Sequence, residues 1–144
     1  MIDVRFPTAL QLMLALALAH AEGVAQLSSV ELAGGLDANP SLVRKLLVHL
    51  ANAGLVHATH GRDGGIRLDR STHSITLREI YSAVLGEKSL WAPRAVPHRC
   101  LVSSNVERYF VALAAKADKA VLKTLQQNTL ADSLAELRKL DATK

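Results

Sequence analysis

Ser41, Arg44, Lys45 and His49 have the types and spacing of a surface that reads duplex DNA. On one helix they would lie away from Val43, Leu46, Leu47 and Leu50, which make its apolar stripe. Arg44 and Lys45 would then face the major groove, where an arginine pairs bidentately with guanine, and Ser41 with the helix N-terminus would meet phosphate. His60, Arg62 and Arg67 follow around the glycine-rich run Gly61-Arg62-Asp63-Gly64-Gly65. That run contains too much glycine to pack anything, so it reads as a flexible basic hairpin able to reach phosphates or the minor groove. The other reactive side chain is Cys100, the single cysteine, beside His98 and Arg99. Cationic neighbours and a nearby helix N-terminus favour its thiolate, which oxidants convert to a sulfenic acid or a mixed disulfide. The plain alternative is a small buried hydrophobe.

These residues need elements to hold them. Ser28-Ser29-Val30-Glu31 reads as a reciprocal capping box opening a short helix with Leu32, Ala33 and Leu36 on its apolar face. Gly34-Gly35 and Asp37 weaken that helix and allow a tight turn. Asn39-Pro40 then starts a second helix, from Ser41 to Asn52, stopped at Gly54. Residues 55–60 and 66–68 read as two antiparallel strands joined by the glycine loop. A capped helix, a short turn, a second helix and a hairpin, in that order, spell a winged helix-turn-helix.

The charge follows the same map. The chain of 144 residues has a formal net charge of +4. Residues 1–39 carry Arg5 against Asp3, Glu22, Glu31 and Asp37, whereas residues 40–70 carry Arg44, Lys45, Arg62, Arg67 and Arg70 against Asp63 and Asp69. Positive charge therefore begins where the second helix begins, as a duplex footprint requires. Aromatic residues are 3% of the chain, which argues against a platform that stacks single-stranded bases. The apolar run of residues 9–19 is too short to span a bilayer and is preceded by both Asp3 and Arg5. It reads as a first helix beneath the helix-turn-helix rather than a leader, so the expected location is cytoplasmic, with no membrane partner.

Beyond the hairpin, Thr76 and Glu79 form another capping box, opening a helix with Leu77, Ile80, Ala83 and Val84 on its apolar side and Gly86 at its end. Residues 87–99 hold Pro93, Pro97 and the only tryptophan, Trp91, and read as a loop. A long helix is expected from Ser103 or Ser104, with Val106, Phe110, Leu113, Ala117, Val121 and Leu125 as a stripe longer than one small domain can cover. A second copy of the same helix is its natural partner. Asn128-Thr129 interrupts it, and Thr129 caps a last helix through Leu140, with Leu130, Leu134 and Leu137 along its apolar edge.

Residues 28–70 together with 75–86 resemble the BadM/IscR-type family of bacterial transcriptional regulators. The matching pieces are residues 39–47, Ala53-Gly54-Leu55-Val56, Gly64-Gly65-Ile66-Arg67-Leu68 and the segment ITLREIYSAVLGE, with similarity resuming at residues 100–102 and 128–132. The resemblance implies a dimeric winged-helix regulator with its sensor in the loop before a long dimerisation helix. It also puts His60 where relatives can carry an arginine that enters the minor groove. Cluster-binding relatives carry three cysteines in that loop and a fourth ligand nearby. Only Cys100 stands here, at the place resembling the last of the three, and Ser103 stands where a histidine ligand would be expected. An iron–sulfur cluster normally takes four protein ligands, so no cofactor or metal is expected. A site bridged between subunits through His98 and Cys100 is the remaining metal alternative.

The fold expected is mainly α with a small β-hairpin: a winged helix-turn-helix over 1–86, a sensor loop over 87–102, and a dimerisation helix with a C-terminal helix over 103–144. The function expected is a homodimeric repressor reading a near-palindromic operator, with recognition helices roughly 34 Å apart and oxidation of Cys100 as its switch. Control by a small ligand near Leu90, Trp91 and Val96 is a second possibility, and a winged-helix protein-interaction module that does not bind DNA is a third. No nucleophilic triad, phosphate loop or helical histidine pair points to an enzyme.

Overall fold

The computed structural model describes residues 2–144. Helix α1, Arg5–Ala21, is the apolar run, and it is a core helix. Ala9, Leu12, Met13, Leu16 and Ala17 are buried on the face that helical periodicity puts together. The one polar residue buried with them, Thr8, donates its hydroxyl to the Val4 carbonyl at 2.7 Å. Among the described residues no helix is long and apolar enough to cross a membrane.

Helix α2, Ser29–Gly35, and helix α3, Pro40–Asn52, form the expected pair. Ser28 Oγ accepts from the Glu31 N–H at 3.0 Å, but Glu31 is exposed and the reciprocal bond does not form among the described residues. Both glycines lie inside α2, and of the three residues expected to allow the turn it is Asp37 that makes it, with a left-handed φ of 49°. Aspartate is one of the few residues with a side chain that tolerates this conformation. Asn39 Oδ1 accepts from the Ser41 and Leu42 N–H groups, and Pro40 opens α3 where its missing N–H costs nothing. Gly54, with φ 74°, turns the chain out of α3.

Strands β1, Val56–Thr59, and β2, Gly65–Leu68, pair antiparallel with Val56 opposite Leu68 and Ala58 opposite Ile66. The first strand is thus shorter at both ends than residues 55–60, and the second begins one residue before Ile66. Leu27 bonds to Ile66 in both directions, at 2.7 and 3.0 Å, so β2 has a neighbour on each edge. This fixes the hairpin against the start of the helix-turn-helix.

Helix α4, Leu77–Leu85, has the complete capping box: Thr76 Oγ1 accepts from the Glu79 N–H, and Glu79 Oε2 accepts from the Thr76 N–H. After the irregular segment of residues 86–100 comes α5, Leu101–Gln126, and then α6, Leu130–Ala142. Thr129 and Asp132 repeat the capping box at α6. The α5–α6 corner returns to the first helices. The Leu130 N–H bonds to the Ile75 carbonyl at 2.8 Å, the Leu77 N–H to the Asn128 carbonyl at 2.9 Å, and the Ala131 N–H to the Thr72 carbonyl at 3.1 Å. Leu130 is fully buried in the same core as Leu12, Leu46, Ile75 and Ile80. Leu134 packs against that core, while Leu137 is 46% exposed.

The long helix begins at Leu101, ahead of the expected Ser103 or Ser104, because Cys100 serves as its N-cap. Its expected stripe is only partly covered, and Ala114 is the one residue of α5 that is buried. The loop before it lies along α5: the Leu90 N–H bonds to Asp118 Oδ1 at 2.9 Å, and the Trp91 ring sits 6.2 Å from that of Phe110.

Candidate nucleic-acid interface

Core packing decides which face of α3 is available. Val43, Leu46, Leu47 and Leu50 are all buried, and this fixes the helix about its axis. Ser41, Arg44, Lys45 and His49 are consequently exposed. At 3.6 residues per turn, Ser41 and Lys45 point most directly away from the stripe, while Arg44 and His49 fall on opposite flanks. Arg44 is on the wing side, where its guanidinium reaches Ser41 Oγ at 3.4 Å.

A cleft of about 560 Å³ runs between α3 and the hairpin. Arg44 and Val48 line it from α3, Thr59, His60 and Gly61 from the hairpin, and Ser28 and Ser29 from the start of α2. The structure therefore brings Arg44 and His60 to one cleft. Arg62 lies exposed in the hairpin loop. Arg67 is exposed too, but it lines a different depression, with His20 and Val24 beside the end of α1. The seven residues of the expected interface thus occupy three places: the α3 face and cleft, the hairpin tip, and the outer side of β2.

The hairpin is less free than its composition suggests. Gln26 Nε2 donates to the Asp63 carbonyl at 2.8 Å, and the Gln26 side chain lies under Gly65. A Cβ on Gly64 would come 2.2 Å from the Thr59 carbonyl oxygen, so the chain closes on itself there. The glycines permit close packing, which corrects the expectation of a loop that packs nothing. Gln26 carries no motif signal, because its contact depends on a residue distant in sequence. Arg70 is also placed differently from the other cations. Its guanidinium bonds Glu79 Oε1 at 2.8 Å and also the Ser74 carbonyl, tying the base of the hairpin to the α4 cap. The Arg70 guanidinium and the Thr76 amide hold the Glu79 carboxyl below its ordinary pKa.

Cys100 is exposed, and its Sγ accepts from the Ser103 N–H at 3.5 Å and lies 3.5 Å from Ser103 Oγ. The Ser103 hydroxyl, then the backbone N–H groups of Ser103 and Val102, lower the thiol pKa from its ordinary value. The cause is the start of α5 rather than Arg99 or His98. Within the single chain Cys100 is exposed and packs against no core.

Comparison with known proteins agrees with this geometry. The Rrf2 family, described as iron-dependent transcriptional regulators, matches residues 2–136. The chain belongs to the Rrf2 family. It is 25% identical over 108 residues to the protein named HTH-type transcriptional regulator YffB of Lactococcus lactis, covering 73% of this chain and 69% of YffB. The crystal structure of a transcriptional regulator from Lactobacillus plantarum superimposes with a TM-score of 0.79 at 23% identity, over 95% of this chain and 91% of that one. The structure of CymR, the global cysteine regulator of Bacillus subtilis, superimposes with a TM-score of 0.66 at 24% identity, over 94% and 97% of the two chains. This Rrf2 chain is a transcriptional regulator with a winged helix-turn-helix fold.

The iron of the family's description does not fit the donors of this chain. An iron–sulfur cluster takes about four ligands, chiefly thiolates, and Cys100 is the only thiol. Among the described residues no three His, Cys, Asp or Glu side chains come together where a metal ion could be held.

Proposed function

We propose that this Rrf2 protein is a homodimeric repressor that binds a near-palindromic DNA operator through α3 and the hairpin. The observation that carries the reading is the cleft along the hairpin-side flank of α3, with Arg44 on one wall and His60 on the other, next to the outward face that the buried stripe leaves exposed. Ser41, Arg44 and Lys45 enter the major groove, His49 flanks them, and His60, Arg62 and Arg67 follow the backbone or minor groove. The uncovered length of α5 supports pairing with a second copy, which would set the two recognition helices about 34 Å apart. A regulator of chromosomal DNA acts in the cytoplasm.

The switch proposed is oxidation of Cys100. Its thiolate attacks a peroxide oxygen, the O–O bond breaks, and the departing hydroxide takes a proton to leave as water. Sulfur is oxidised to S–OH as the peroxide is reduced. The new group displaces the sulfur that caps α5, at the junction between the loop and the long helix.

The test is duplex binding over a salt series, using sites selected from a random pool and the gene's own upstream region, with reduced and peroxide-treated protein. Specific binding that weakens steeply with salt, loses base preference in Arg44→Ala, and is lost on oxidation except in Cys100→Ser supports the whole reading. Binding indifferent to oxidation removes the switch and leaves the DNA assignment standing. No enriched sequence and no salt-dependent binding overturns the assignment and favours a protein-interaction module.

A further inference from the structure

One apolar residue stands out of place on the outward face of α3. Val48 is 57% exposed, although its neighbour Leu47 and the rest of the stripe are buried. It sits one helical turn after Arg44 and one turn before Asn52, and all three border the cleft facing the hairpin. A β-branched residue is a poor choice for a solvent-exposed helix position, since it lowers helix propensity and leaves methyl groups in water. The same branching holds the side chain in one strongly preferred rotamer, so its methyls have a fixed direction. A residue of this kind on a groove-reading face has one specific partner among the bases. Thymine alone presents a methyl group in the major groove, whereas cytosine and adenine present amino donors that valine cannot accept.

We infer that Val48 is a specificity-determining residue that reads the C5-methyl of a thymine in the operator. The inference rests on the DNA-binding reading of α3. Arg44 and Val48 are separated by four residues, about 6 Å along the helix axis, which is slightly less than two base steps of about 3.4 Å each. The thymine therefore lies within two base pairs of the base that Arg44 addresses. Arg44 supplies the hydrogen-bonded half of the contact and Val48 the apolar half.

Uracil differs from thymine only by that methyl and keeps every hydrogen-bonding group. The experiment takes the highest-affinity duplex selected from a random pool and replaces its thymines with uracil one at a time, measuring affinity for the wild-type protein and for Val48→Ala. One thymine position is expected to lose about four-fold in affinity on demethylation, the worth of one buried methyl group. Val48→Ala should bind the thymine and uracil duplexes equally, with the helix kept, since alanine favours helix more than valine does and Val48 packs no core. A selected site in which no thymine is sensitive overturns the inference. So does a variant that keeps the full four-fold sensitivity, since another residue would then be reading the methyl. If the pool yields no enriched duplex, the DNA-binding reading itself fails and this inference falls with it, an outcome distinct from the other two.

Discussion

Helices α3 and α5 distribute their apolar side chains in opposite ways. In its 13 residues α3 buries Val43, Leu46, Leu47 and Leu50, and it turns an almost wholly polar face outward. In its 26 residues α5 buries Ala114 alone, and it leaves Leu101, Val102, Tyr109, Val111 and Leu113 exposed. The stripe of α3 is satisfied within the chain because α1, α2, α4 and the hairpin surround it. The stripe of α5 has chiefly α4 and the loop beside it. One helix is thus held rigidly by the fold so that its other face can be used. The other is long and under-packed, which is the condition in which burial against another surface brings the largest gain.

Mutations can break this contrast. Leu46→Ala, at a fully enclosed site, should cost about 2–5 kcal/mol of stability in chemical denaturation. A loss near zero would mean that the α3 stripe is not the core. Thr76→Ala removes the α4 cap and should cost about 1 kcal/mol, measured the same way. Leu113→Ala should shift the stability of dilute protein by no more than about 0.5 kcal/mol, as at an ordinary surface position. It should nevertheless reduce the dependence of the melting temperature on protein concentration if α5 pairs with a second copy. A loss in Leu113→Ala as large as that in Leu46→Ala, independent of concentration, would dissolve the contrast.

Two titrations sharpen it with smaller effects. The folded-state pKa of Glu79 lies below its ordinary value of 4.5. The Arg70–Glu79 contact therefore contributes stability that is fully present above the unfolded pKa and is lost as pH falls through the folded one. Glu79→Gln should flatten that acid limb in pH-dependent melting. In Cys100 the charged form is the one stabilised by the α5 N-terminus, so Ser103→Ala should move the pH midpoint of thiol alkylation upward. An unmoved midpoint would show that the serine hydroxyl contributes nothing to the thiolate.

Local signals in the sequence were largely sufficient where the physics is local. Asn39-Pro40, Thr76 with Glu79, and Thr129 act within one helical turn, and each caps the helix that the sequence assigns to it; the reciprocal bond of Asp132 to Thr129 is added by the structure. The α3 stripe was legible because four buried residues share one periodicity. What escaped depends on residues far apart in the chain or on unusual use of a residue type. Gln26 under Gly65, Arg70 on Glu79 and Leu130 in the core of the first helices all need the tertiary fold to bring them together. Cys100 was read as chemistry and not as a cap, because thiols are seldom counted among capping groups, and the start of α5 was placed too late as a result. Val48 did leave a trace, as an apolar residue out of phase with its neighbours, but only the packing shows that it faces outward.

The bond between Leu130 and Ile75 ties completion of the core to a late point in synthesis. A ribosome delivers the helix-turn-helix and hairpin first, yet the core beneath them keeps an open place until Leu130 emerges, after the whole of α5. Closing that intervening loop carries an entropic cost that grows slowly with its length, so the step is delayed in synthesis more than it is penalised in stability. A nascent chain halted within α5 would carry its helix-turn-helix over an incomplete core, and full folding would wait for the last helix.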